Sequence, residues 1–169
     1  MVEPNIRKSA VAGYVPASLR GSRFATYVTG QTAWDDTPTY LWDEWVAYTN
    51  GSEVGIDLAR AGLWRYGWRD GVAGTLEFTV YALALGMAVE ARDPTYFRDN
   101  TQFRAFLAWN ARRAMILYRQ GAAMEQFRWA TQDAYYTALR ESPDAEALRE
   151  FARRIYGRAW AAEVLGIAP

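Results

Sequence analysis

The chain has 169 residues, 51% of them hydrophobic and 15% aromatic, with no histidine and no cysteine. A chain of this length buries roughly 70% of the surface its unfolded form exposes, so it carries a core of its own without disulfide staples. The missing residue types exclude thiolate and imidazole nucleophiles, disulfides, and zinc held by Cys or His.

Net charge is zero. Residues 1–97 carry a small acidic excess and residues 98–169 a matching basic one. That asymmetry is too mild for a nucleic-acid partner or an anionic membrane. All basic residues but Lys8 are arginine, so Schiff-base chemistry would rest on a single lysine within residues 1–17, which are expected to form an extended or frayed arm. No signal-peptide pattern is apparent at the N-terminus.

Helical spacing of Leu19, Phe24, Tyr27 and Val28 predicts a helix over Ser18 to Gln31. Three later starts pair an N-capping side chain with a proline at the first helical position: Thr37-Pro38, Asp93-Pro94 and Ser142-Pro143. The first of these helices is expected to end at Asn50-Gly51, a pair suited to the left-handed conformation of helix termini. Asn50-Gly51-Ser52 is also formally a glycosylation sequon. A second helix is expected over Ser52 to Gly67, with Val54, Leu58, Ala61 and Leu63 as its apolar side, and Arg69-Asp70-Gly71 then makes a turn.

Thr75 to Arg92 is apolar nearly all round, which suits the central helix of a bundle. Its uninterrupted run, Phe78 to Val89, is short of the ~20 residues that cross a bilayer, so no membrane span is expected. Phe103, Phe106, Leu107, Asn110, Ala114 and Leu117 then follow helical spacing towards Gly121. Ala122 to Arg140, Pro143 to Tyr156, and a short piece between Gly157 and Gly166 complete the series. Strand alternation, internal repeats and low-complexity linkers are lacking. The expected fold is therefore all-α: one domain, an irregular bundle of about six to eight helices.

The densest segment runs from Trp34 to Gly51. Within it Glu44 falls on the helical face of Leu41, Ala47 and Tyr48, so this carboxylate needs a partner such as Arg20 or Arg23. Glu44-Trp45-Val46-Ala47-Tyr48 resembles the Glu-x-x-Ala helix that supplies the third, glutamate ligand in gluzincin-type zinc metallopeptidases. In that family the ligand follows a His-Glu-x-x-His helix carrying two histidine ligands and a water-activating glutamate. The resemblance covers about a dozen residues; it implies Glu44 as a ligand and Ala47 as the small residue beside it. Without histidine a tetrahedral zinc site cannot be assembled from this chain. The resemblance therefore implies the C-terminal part of a longer metallopeptidase-like protein, or a relative that has lost its metal.

Asp35, Asp36, Asp43 and Glu44 lie among Trp34, Trp42, Trp45 and Tyr48, and acids between aromatic platforms are what a carbohydrate-binding or carbohydrate-cleaving cleft requires. Cleavage needs two carboxyl groups about 5 Å or roughly 6.5 to 9.5 Å apart across a groove. Glu77 and Asn110 are further polar intrusions on apolar faces. Glu77 could join Glu44 around a hard cation, or both intrusions could be satisfied by Tyr or Arg in the core. Gly67-x-x-x-Gly71-x-x-Gly74 lacks the Lys-Ser/Thr ending of a phosphate loop, and no base stands ready to activate a serine.

No complete catalytic set, metal site or cofactor motif emerges. The expected function is a non-catalytic helical binding or assembly domain, meeting a protein partner or further copies of itself through aromatic side chains. The exposure of Trp34, Trp42, Trp64 and Trp68 separates that role from a purely structural one for the aromatics.

Overall fold

A computed structural model describes residues 3–65 and 70–168, 77% of them helical and none in a strand. Seven α-helices are joined by short 3-10 and π turns: α1 (Tyr40–Arg60), α2 (Gly71–Arg92), α3 (Pro94–Asp99), α4 (Thr101–Ala122), α5 (Gln132–Glu141), α6 (Glu146–Tyr156) and α7 (Arg158–Trp160). The expected irregular all-α bundle is the observed architecture.

α2 is the axis of the bundle. A helix apolar on every side has to be covered on every side, and α2 is walled by α1 and α4, by the N-terminal 3-10 helix Lys8–Tyr14, and by α3, α5 and α6. Every residue from Gly71 to Gly86 is buried. The whole of α2 is long and apolar enough to match a bilayer, which the narrower run Phe78 to Val89 did not reveal, yet 94% of its most apolar stretch is buried within the bundle.

Several boundaries differ from expectation. α1 passes straight through Asn50-Gly51, because the Asn50 amide accepts from Arg113 on α4 and the chain keeps helical geometry on to Arg60. The two expected helices of this region are thus one. Its buried stripe is Trp42, Trp45, Thr49, Ser52 and Ile56, so the expected apolar side of its second half lies outward, with Val54 and Leu63 exposed. Thr37-Pro38 sits two residues early: α1 begins at Tyr40, and Glu3 accepts from the backbone N–H and the hydroxyl of Thr39. Asp93 caps α3 as expected, accepting from the Tyr96 N–H. Asn100 then ends α3 and caps α4 by accepting from the Phe103 N–H, splitting what the spacing joined. α5 is shorter than Ala122 to Arg140, and Ser18 to Gln31 is not an α-helix but the turns Ala17–Leu19 and Phe24–Thr29.

The expected frayed arm is instead built into the core. Val11 and Val15 are buried, and the Lys8 ammonium is buried with them. It donates to the carbonyls of Tyr27, Val28 and Gly30, at 3.0, 3.0 and 2.6 Å. A cation there meets the carbonyls left free where the Phe24–Thr29 turn ends. Burial holds the Lys8 pKa below its usual value, an effect that Asp35 only partly offsets.

A second tie joins this segment to the far end of the chain. The Asp144 carboxylate accepts from the Ser18 N–H and hydroxyl at 2.9 and 2.6 Å, and from the Ser142 hydroxyl. Those bonds, Ser142 first, hold its pKa down at about 2.

Leu83 and Leu85 are fully buried, so either Leu→Ala change should lower stability by ~2–5 kcal/mol in denaturant titrations. Asp144 ionises at lower pH when folded than when unfolded, so its contribution is complete above about pH 4 and vanishes as pH falls through the folded value. The gap in urea midpoint between the native chain and Asp144→Asn should therefore close as pH drops over that window.

Candidate functional site

Glu77 projects from α2 at 4% exposure. One carboxylate oxygen accepts from the Arg23 guanidinium at 2.6 Å; the other accepts from the Arg23 N–H at 3.1 Å and the Tyr81 hydroxyl at 3.0 Å. Arg23 in turn reaches the carboxylate of Asp70 at 2.5 Å and its backbone carbonyl at 2.7 Å. Burial works against the charged guanidinium, and Glu77, Tyr48 and Asp70 outweigh it, so the Arg23 pKa rises. Tyr135 is buried, with its hydroxyl against that of Tyr81 and donating to the Leu19 carbonyl at 2.8 Å. Burial pushes both phenols above their usual range. Gly21 makes the cluster possible, since a Cβ there would lie 2.3 Å from a Glu77 oxygen.

This is the core network satisfied by Tyr and Arg. It uses one of the two arginines expected for Glu44, and both oxygens of Glu77 are engaged by Arg23 and Tyr81. Among the described residues no three acidic side chains converge as metal ligands would. Asn110 is the opposite case. It is fully buried, and neither its amide oxygen nor its amide nitrogen finds a partner.

The remaining acids are dispersed. Asp35 accepts from the Ser9 N–H at 2.8 Å and from Arg7 at 3.2 Å, fastening the start of the Lys8–Tyr14 helix. Its pKa is lowered, first by the bonds from Ser9. Asp36 accepts from the Thr37 hydroxyl. Asp43 is exposed on the first turn of α1 and lines, with Glu3, Trp42 and Phe106, a cavity of about 330 Å³. Glu44 is half-buried beside Tyr40, whose pKa is pushed up to about 12 by burial and then by the hydrogen bond to Glu44. No arginine forms an ion pair with Glu44 among the described residues, and Ala47, expected on a shared inward face, is exposed.

The aromatics divide in a similar way. Trp42 and Trp45 are buried, and Tyr48 is half-buried against Phe78 and Tyr27. Trp64 is partly buried on Phe127. These residues belong to the packing, and among the described residues expected to make contacts only Trp34 is open. It is 48% exposed, with one face stacked on Tyr40 at 5.4 Å. Trp68 lies outside the described residues.

The surface best suited to contact lies elsewhere, along the seam of α1 and α4. Trp45 meets Phe106, Asn50 and Glu53 meet Arg113, and Arg60 meets Gln120. The order is the same on both helices, so they run side by side in parallel. Between their second halves is a groove of about 360 Å³ with Ile56 and Leu117 in its lining, Glu53 and Asp57 on the α1 side, and Trp109, Arg112, Arg113 and Ile116 on the α4 side. Trp109 is 57% exposed and Ile116 44%, and Val54 on the neighbouring outer face of α1 is 58% exposed. Arg113 lies over the Trp109 ring at 6.0 Å. Sequence spacing passed over these residues because they fall outside the buried stripe Phe103, Leu107, Asn110, Ala114 and Leu117. Their signal is that mismatch: Trp109 and Ile116 are two turns apart on a face shared with arginines.

Compared with known families, functionally characterised proteins and solved structures, the chain finds no match.

The two central glutamates should respond oppositely to amide substitution. Glu77→Gln removes the more deeply buried of the two carboxylates that hold the Arg23 guanidinium, leaving Asp70, and should cost about 3 kcal/mol in chemical denaturation. Glu44→Gln strands no ion partner and should change stability by less than about 1 kcal/mol.

Proposed function

We propose that this chain is a non-catalytic helical binding or assembly module that receives a protein partner on the α1/α4 seam. One observation carries the reading: of the five large apolar side chains exposed among the described residues, Trp109 and Ile116 line the groove, and Val54 and Leu63 lie on or just after α1. Isolated exposed apolar residues are ordinary, but a group of them around a groove rimmed by polar residues is the usual character of a contact surface. Groove-lining helices of this kind accept an apolar face through anchors one and two turns apart. An aromatic flanked by arginines is the side-chain combination most often found at energetic centres of interfaces.

Charge leaves the apolar side chains in control. Glu53 with Arg113, Asp57 with Arg60, and Arg112 with Glu163 are neutralised within the chain. The rim thus selects for fit rather than for a strongly charged ligand.

A photo-crosslinking residue at position 54, in cells that naturally express the chain, should give a discrete adduct with a polypeptide. The same residue at exposed Gln102 should give none, and Trp109→Ser with Ile116→Ser should remove the adduct at 54. Because both residues are exposed, these serine changes should alter stability by less than about 1 kcal/mol each. An adduct no stronger at 54 than at 102 would end this reading.

A second reading, the C-terminal part or metal-less relative of a zinc-metallopeptidase-like protein, has one observation in its favour. Glu44 is only half-buried and carries no arginine partner among the described residues. Stoichiometric zinc in the purified chain, lost in Glu44→Gln, would move this reading ahead of the first.

A further inference from the structure

The geometry points to a second binding site, separate from the seam, for small organic ammonium ions that also carry an oxygen acceptor. It is the cavity of about 330 Å³ at the start of α1, lined by Glu3, Thr39, Trp42, Asp43, Val46 and Phe106. None of these residues lines the α1/α4 groove. The volume falls at the lower end of small-molecule pockets, which run from about 300 to 1,000 Å³.

Charge sets the first requirement on the occupant. Two carboxylates line the cavity, and among the described residues no basic side chain does. The Glu3 oxygens accept from the Thr39 N–H and hydroxyl. Both donors are neutral, so these bonds hold the carboxylate at the start of α1 without cancelling its charge. Asp43, exposed on the first turn, forms no hydrogen bond or ion pair among the described residues. The helix dipole accounts for an acid on that turn, but not for a second one brought to the same hollow by the N-terminal segment. Two like charges around one concavity, with no counter-charge, concentrate cations there.

The walls set the second requirement. Trp42, Val46 and Phe106 offer carbon, and the half-buried Phe106 ring lies 4.9 Å from that of Trp42. A bare metal ion, held by oxygen ligands, gains nothing from such walls. An ammonium on an organic body pairs with the acids and rests its carbon on the rings. Trp42 supplies the third requirement. It is 4% exposed, and its indole N–H is buried without an acceptor. An indole can only donate, so an oxygen on the occupant meets the unmatched group.

Phenylethanolamine, which combines an ammonium, a hydroxyl and an aromatic ring, is the probe. Titrated into the full chain at neutral pH, it should shift the indole N–H resonance that Trp42→Phe removes, with a dissociation constant of about 0.1–1 mM. Phenylethanol, which lacks the charge, should bind about tenfold more weakly or worse, and phenethylamine, which lacks the hydroxyl, about threefold or worse. Asp43→Asn and Glu3→Gln should each weaken phenylethanolamine about fivefold or more, whereas Asp57→Asn, at an exposed acid further along α1, should leave it unchanged. Asp43 is exposed and the glutamine oxygen at position 3 still accepts from Thr39, so neither variant threatens the fold. An unmoved Trp42 resonance, either analogue binding as tightly as phenylethanolamine, or Asp43→Asn without effect overturns the site.

Discussion

A carboxylate on the most enclosed helix of the molecule has to be neutralised before that helix can be covered, and Glu77 is that carboxylate. Its partner Arg23 comes from the short turns before α1, so those turns must lie against α2 for the carboxylate to be neutralised. Arg23 also grips Asp70 at the start of α2. One guanidinium thus fixes where α2 begins and how the N-terminal turns lie on it. A hydrophobic pair would add comparable stability at lower desolvation cost, so what the ion pair contributes is position.

From that pairing the rest of the architecture follows as walls around α2. α1 and α4 are the two long walls, each with a narrow apolar stripe facing inward. Because they are parallel neighbours, their outer faces meet in a seam lined by these two helices alone, and the exposed Trp109 and Ile116 stand in it. The inward stripes of the two helices also carry buried polar atoms without a protein partner: the Asn110 amide on α4, and the Ser52 hydroxyl and the Trp45 indole N–H on α1. Each such group costs about 1–3 kcal/mol.

Fold class was legible in the sequence because the absence of strand alternation and the all-round apolar character of α2 are long-range signals that local exceptions do not erase. Boundaries were less legible where a distant residue supplied the decisive contact. Asn50-Gly51 reads as a terminus until Arg113 is placed beside it, and the start of α1 depends on Glu3, thirty-six positions before Thr39. The acids show the same limit. Glu44 and Glu77 look equivalent as charges on helical stripes, but only Glu77 faces the bundle interior, and which of them Arg23 would take is a matter of tertiary placement. The seam was missed for a different reason. A search for functional aromatics in the densest segment finds the tryptophans that build the core, whereas Trp109 is informative because it stands apart from the apolar pattern of its own helix.

Lys8 has a practical consequence beyond its place in the fold. It is the chain's lone lysine, and its ammonium is enclosed and engaged by three carbonyls. Reagents and enzymes that act on lysine side chains, whether succinimidyl esters, acetyltransferases or ubiquitin ligases, meet no side-chain amine on the folded surface. Attachment of ubiquitin at a lysine would have to wait for the N-terminal turns to detach, which makes this residue an internal marker of whether the molecule is folded.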